Sequence, residues 1–280
     1  MPAKKMNAPY IPDLGIKYPE QPDGHMIDVN PVRDITIDEN YPFLNKSLPF
    51  KIKYFLVYLA INTLVFLICV LRYGIKIKGR KNLWKYRKLF KNGAMTISNH
   101  VHRWDLIFIA LAVRIRNLYF PVWKEHLKGR DAHWIRHAGG IPIPEDIHTI
   151  KCFNRAFDEI HAKKTWIHAF PESTRFSYFT PIRPFKKGVF SMAHRYNLPV
   201  IPVAISWRKP HFPYTILNLL RCLKKDGKAL PLITVSVGEP ILFDETLGRK
   251  EAVQKIRKEC HEAIVRLAGI TDNPYPAEGD

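Results

Sequence analysis

From Tyr54 to Leu71 the chain reads Y-F-L-V-Y-L-A-I-N-T-L-V-F-L-I-C-V-L, uncharged and with only Asn62 and Thr63 strongly polar. As a helix this stretch is about 27 Å long, close to the ~30 Å hydrocarbon thickness of a bilayer. A helix that is apolar all round is a membrane span, a partly inserted helix or the centre of a large core. Its length and its place at the edge of the body favour membrane attachment. Basic residues at both ends (Lys51, Lys53 and Arg72) give no orientation and leave the depth open.

After this helix the pattern becomes that of alternating short strands and helices. Ile75 and Ile77 alternate with Lys76 and Lys78, predicting a strand from Gly74. Lys81 to Lys91 is a basic surface stretch anchored by Leu83, Trp84 and Leu89. Buried strands are predicted at Gly93–Ser98, Leu118–Val122, Trp166–Phe170, Val200–Ile205 and Ile233–Val237. Leu106–Val113 and Met192–Tyr196 read as helical. Val253, Ile256, Cys260, Ile264 and Leu267 mark one face of a C-terminal helix, with Lys255, Arg257 and Lys258 on the other and Gly269 as its stop. The class is therefore α/β: a mixed, mostly parallel central sheet flanked by helices, with an N-terminal membrane-associated hydrophobic helix. Three segments follow: an extended arm over residues 1–49, the hydrophobic helix over 50–73 and an α/β domain over 74–280.

Charge changes the picture in one respect. Forty-four Lys and Arg against 25 Asp and Glu give a net charge of +19, which favours an anionic partner, membrane or nucleic acid. The first 49 residues carry seven acidic and five basic side chains, so the excess lies entirely downstream. That arm is Pro-, Asn- and Asp-rich, has no signal-peptide core, and is expected to lie along the body through Tyr10, Ile11, Tyr41 and Phe43. No stacking-aromatic or helix-turn-helix pattern supports nucleic-acid binding. Cys69, Cys152, Cys222 and Cys260 are far apart and form no CxxC pair. Neither a disulfide framework nor a thiolate zinc site is expected, and reduced thiols fit the cytoplasmic side. Cys152 and Cys260 fall in helical patterns as small core residues.

The chemistry-bearing stretch is I-S-N-H-V-H-R-W-D-L-I-F-I, from Ile97 to Ile109, where a strand passes into a helix. Asp105 stands about one turn beyond His100, so its carboxylate can fix one ring nitrogen and leave the other to take a proton. With no nucleophile beside them, the pair suits direct attack by an external hydroxyl. Alone, this spacing also fits a strand cap, a helix cap, or a metal site shared with His102. A second cluster follows another strand at F-P-E-S-T-R, residues 170–175. There Arg175 could clasp a phosphate, and Glu172 could hold that Arg or a substrate hydroxyl. Lys124 and Lys128, Lys186-Lys187-Gly188 and the strand Leu198–Val203 complete the candidates; the strand reads either as an acyl-channel wall or as ordinary core.

Four ordered blocks, N-H-V-H-R-W-D (99–105), G-G-I-P-I-P (139–144), F-P-E-S-T-R (170–175) and L-P-V-I-P-V (198–203), resemble those of the glycerolipid acyltransferases, the 1-acylglycerol-3-phosphate acyltransferases and their relatives. The similarity spans about residues 75 to 245 and omits the arm. It implies that His100 is the general base and that Asp105 orients it. It implies that Glu172 and Arg175 help bind the acceptor phosphate, with Lys124 contributing and Thr174 and Lys187 grouped as further substrate-binding residues. The implied donor is an acyl thioester of coenzyme A or acyl carrier protein, with no metal and no bound cofactor. Two departures stand out. Ser173 occupies a position usually held by Gly, and Pro144-Glu145-Asp146 lacks the Arg that usually follows the second block. The expected protein is an acyltransferase on the cytoplasmic face of a membrane with anionic lipids, forming phosphatidic acid from lysophosphatidic acid. The alternatives are another lysolipid acceptor, a metal-dependent hydrolase using His100, His102 and Asp105, or a non-catalytic lipid-binding protein.

Overall fold

The computed structural model describes residues 9–26, 29–114, 116–217, 224–225 and 228–278. Cys222 lies outside them. The hydrophobic segment is helical from Leu48 to Tyr73. It comprises α1 (Leu48–Ala60), a π-helical turn over Ile61–Val65 and α2 (Phe66–Tyr73). Lys51 and Lys53 fall inside its first turns rather than before it, because Ser47 caps the helix upstream of them by accepting from the Phe50 amide. At the π turn the Asn62 amide and the Thr63 hydroxyl donate back to the carbonyls of Tyr58 and Leu59.

The body follows in the order β1 (Lys76–Lys78), α3 (Lys81–Lys85), β2 (Met95–Ser98), α4 (Asp105–Val113), β3 (Leu118–Val122), α5 (Ala132–His137), β4 (Gly140–Pro142), α6 (Ile147–Ala162), β5 (Trp166–Ala169), α7 (Gly188–Arg195), β6 (Val200–Arg208), α8 (Tyr214–Leu217), the short strands β7 (Lys224–Lys225) and β8 (Lys228–Ala229), β9 (Leu232–Val237) and α9 (Arg249–Ala268). Seven strands form one sheet in the order β1-β9-β6-β2-β5-β3-β4. Every neighbouring pair is parallel except β6 with β9. The strands and the C-terminal helix follow the sequence periodicity closely. The strand β4 and the start of α6 did not declare themselves, since the Gly- and Pro-rich run from Gly139 to Pro144 has no period. Gly139 shows why that run is needed: at φ +103° a side chain there would meet the Leu118 carbonyl at 2.2 Å.

One apolar layer lies on each sheet face. On one, Ile201, Val203 and Ile205 of β6 and Ile233, Val235 and Val237 of β9 meet α4 and the inner stripe of α1–α2, namely Phe50, Tyr54, Tyr58, Ile61, Cys69 and Tyr73. On the other, Met95, Ile97 and Ile167 meet α6, α7 and α9 through residues such as Phe157, Phe190, Ile256, Cys260 and Ile264. The 198–203 block is thus a core strand. Several surface expectations change. Trp84 and Leu89 are exposed, and Leu83 with Phe90 anchors that stretch instead. Arg257 is largely covered by its ion pair to Glu278, and Leu267 is only half-buried. Cys260 is core, while Cys152 is half-exposed against the Glu39 carbonyl. The arm does pack along the body through Tyr10, Tyr41 and Phe43, but Ile11 points into solvent.

Candidate active site

The strands β2 and β5 are parallel neighbours, so the segments leaving their C-terminal ends emerge side by side. In an open α/β sheet that edge is where ligands bind. His100 leaves β2 and Glu172 leaves β5, and the two meet directly: the His100 amide donates to Glu172 Oε2 at 2.9 Å. The Phe176 and Tyr178 amides then donate to the His100 and Val101 carbonyls at 3.1 and 2.7 Å, zipping the second loop onto the first. Phe170 stacks on the His100 ring with centroids 4.0 Å apart.

His100 Nδ1 lies 2.8 Å from Asp105 Oδ2. The same oxygen accepts from the Val101 and His102 amides at 2.7 and 2.8 Å, and Oδ1 is buried without a partner. Asp105 therefore does not cap α4; it points back and organises the turn that presents His100. With Nδ1–H donated to the carboxylate, Nε2 is the nitrogen left to take a proton. Burial holds the imidazole well below its ordinary pKa, and the positive fields of Arg175 and Arg183 push the same way. The ring is thus neutral at physiological pH, as a base must be. Burial raises the Asp105 carboxyl well above its ordinary range, and its backbone donors and Arg175 offset only part of that rise.

Beyond its amide, His102 takes no part in this geometry: its side chain turns away. Its Nδ1 accepts from the Trp104 amide at 3.1 Å, its ring sits among Tyr73, Phe108 and Tyr178, and burial brings its pKa down to about 3. It does not converge with His100 and Asp105 on a shared point. No group of three or more metal-ligating side chains occurs among the described residues.

Glu172 is fully buried and both of its oxygens are engaged. Oε1 accepts from the Arg183 amide at 2.9 Å, and Oε2 accepts from His100 N and from Arg183 Nη2 at 3.0 Å. Its cation is thus Arg183, not Arg175. Arg183 is 1% exposed, lies 3.9 Å over the Phe176 ring, and also donates to the Thr174 hydroxyl, the Thr174 carbonyl and the Pro22 carbonyl. Glu172 and Thr174 are therefore both engaged in building the loop. Ser173, at φ +62°, holds the left-handed conformation that Gly adopts freely.

This arrangement leaves Arg175 unclaimed by Glu172. It lies within electrostatic reach of His100, His102 and Asp105, and its Nε is buried without a partner. His126, from the turn after β3, lies within electrostatic reach of Arg175 and His100, and burial with those two groups lowers its pKa. Lys124, in that turn, is ion-paired to Glu145 and is not a bare cation. Asp146 caps α6 through the His148 and Thr149 amides. The two acidic residues after the second block thus neutralise Lys124 and start a helix. Lys187 stands exposed at the head of α7. His100, Asp105, Glu172, Thr174 and Arg175 thus come together, while Lys124 is paired with Glu145 and Lys187 is exposed at the head of α7. Arg183 and His126 were not singled out from sequence, and no spacing signal marks either.

Residues 74–206 match the family model described as Acyltransferase. No curated protein sequence matches the chain. Among solved structures it is similar to the crystal structure of the 1-acyl-sn-glycerophosphate (LPA) acyltransferase PlsC from Thermotoga maritima. The identity is 17%, the TM-score is 0.43, and the match covers 77% of this chain and 95% of that one.

Proposed function

We propose, from the match of residues 74–206 to the acyltransferase family model and from the site's geometry, that the chain transfers a fatty acyl group from a thioester of coenzyme A or acyl carrier protein to the free hydroxyl of a lysophospholipid. The carrying observation is the His100–Asp105 pair at 2.8 Å beside the uncommitted Arg175. His100 Nε2 takes the acceptor's hydroxyl proton. The oxygen attacks the thioester carbonyl, the C–S bond breaks, and the leaving thiolate takes the proton back. Arg175 holds the acceptor's phosphate, and 1-acylglycerol-3-phosphate is the acceptor that fits best. The chemistry calls on no metal or bound cofactor.

The ion pair of Glu145 with Lys124 favours a second reading, in which the acceptor head group is not a bare phosphate monoester. Fewer cations then need to be free. A panel of lysolipids, offered with labelled acyl-coenzyme A and acyl carrier protein donors, separates the two. Transfer by wild type that is abolished in His100→Ala, with the fold intact by circular dichroism, is the expected result. Turnover retained in that variant would sink the assignment.

The membrane reading rests on α1–α2. Its inner stripe is buried, and the Tyr54 and Tyr58 hydroxyls donate to the Leu118 carbonyl. Its outer face exposes Ile52, Phe55, Leu56, Leu59, Leu64, Leu67 and Leu71. A helix fixed to the body along its length lies half-immersed in one leaflet rather than crossing alone. Basic residues around it favour anionic lipids. The free thiols of Cys69, Cys152 and Cys260 support the cytoplasmic side.

A further inference from the structure

The N-terminal arm lies outside the matched family segment, yet its stretch from Tyr18 to Val32 makes contacts on loops at the catalytic edge of the sheet. Tyr18 donates its hydroxyl to the Ser177 carbonyl at 3.0 Å. Its ring meets Phe176 and Phe179 at 5.9 and 4.7 Å. The Pro22 carbonyl accepts from Arg183 Nη1 at 2.9 Å, and Asp23 pairs with Lys186 at 3.0 Å. His25 packs on Trp123 at 5.3 Å, and farther on the Val32 amide donates to the Lys128 carbonyl at 2.9 Å.

These anchors fall on two loops only. Ser177, Phe176, Phe179, Arg183 and Lys186 belong to the loop after β5, which carries Arg175. Trp123 and Lys128 belong to the loop after β3, which carries Lys124 and His126. The arm thus bridges the two loops that flank Arg175 and His126. It is also wired to the base. Pro22 O, Arg183, Glu172 Oε2 and the His100 amide form an unbroken chain of hydrogen bonds.

We propose that the segment from Tyr18 to His25 is a positioning strap that sets the gap between these two loops, and with it the fit of the acceptor's anionic head group against Arg175. The proposal rests on the acyltransferase reading for the identity of that ligand, but not for the strap itself. Arg175, on one of the two strapped loops, is the residue assigned to the acceptor's head group, so the strap governs the acceptor and not the donor. Tyr18 touches neither substrate nor base and acts through the loop it holds.

Full-length wild type, Tyr18→Ala and Tyr18→Phe test this. Amide hydrogen exchange is read at His100, Phe176 and Tyr178, and initial rates are read against acceptor and donor separately. Tyr18→Ala removes one hydrogen bond and two ring contacts. It is expected to speed exchange at those three amides and to raise the acceptor KM about tenfold, with kcat and donor KM within twofold of wild type. Tyr18→Phe keeps the rings and is expected to restore most of the acceptor affinity. Wild-type exchange at all three amides in Tyr18→Ala would overturn the strap. So would a loss shared equally by kcat and both KM values, which a merely structural residue would give. The exchange measurement needs no turnover. Faster exchange in a chain without transfer activity would therefore sink the acyltransferase reading and uphold the strap.

Discussion

Replacing Asp105 by Asn separates the charge of the partner from its geometry. Asp105 Oδ2 receives three N–H donors, from the His100 ring, Val101 and His102, while Oδ1 receives none. An Asn carboxamide has one orientation compatible with that set. Its oxygen must take the three donors, and its NH2 must occupy the empty Oδ1 position. The His100 tautomer and the turn are then preserved, and only the negative charge is lost. When His100 accepts the proton it becomes an imidazolium 2.8 Å, nitrogen to oxygen, from that carboxylate. With the charges spread over ring and carboxylate, about 4 Å apart, the attraction at an effective dielectric of about 20 is about 4 kcal/mol. Charge develops only partly in the transition state, so the expected loss in kcat is about a hundred- to a thousandfold. Asp105→Ala should fall further, because it also leaves three donors without an acceptor. The assay is steady-state transfer across pH, with circular dichroism to confirm the fold. Losing the carboxylate destabilises the imidazolium and lowers the His100 pKa, so the acid limb of the rate profile moves to lower pH. A rate within tenfold of wild type, an acid limb that moves upward, or equal losses in the Asn and Ala variants would refute the general-base assignment.

Arg175→Gln removes a positive field that depresses His100, so the acid limb should move to higher pH. The KM of a phosphate-bearing acceptor should rise about ten- to a hundredfold with loss of a charged hydrogen bond. Unchanged acceptor KM would take Arg175 out of the binding site. Arg183→Met leaves Glu172 buried and unpaired, at a cost of about 3–5 kcal/mol. A melting temperature lower by roughly 6–20 °C should follow, partly recovered in the Glu172→Gln/Arg183→Met double variant; a shift under 2 °C would show that the pair is not holding the loop. Ser173→Gly relieves a left-handed backbone costing about 1–2 kcal/mol, offset in part by about 0.5–1 kcal/mol of added chain entropy. Its melt should rise by roughly 1–4 °C with the rate unchanged; a fall would mean that the Ser173 side chain is itself engaged.

The sheet and its helices were legible because burial on one face or two imposes a period on the sequence. Ile75 and Ile77, and Val253 through Ile264, declare their faces in that way. The His100–Asp105 contact was legible for a related reason: both residues lie within one local turn, so five residues of spacing nearly fix the distance. No such rule told which cation would meet Glu172. Arg175 and Arg183 both lie within eleven residues of it, along an irregular loop whose path has no period. The structure resolves the choice through the backbone, since the Arg183 amide already donates to Glu172 Oε1 and its side chain then closes on Oε2. A carboxylate buried among three such donors is closed off from a ligand. The residue that sequence placed on the acceptor phosphate is thus spent in building the loop. In the proposed reaction the phosphate falls to Arg175, because Arg183 has taken the place beside Glu172. Glu172 and Arg175, neighbours in one block of sequence, thus do different jobs in this chain, and the arm carbonyl at Pro22 completes the half that holds the fold.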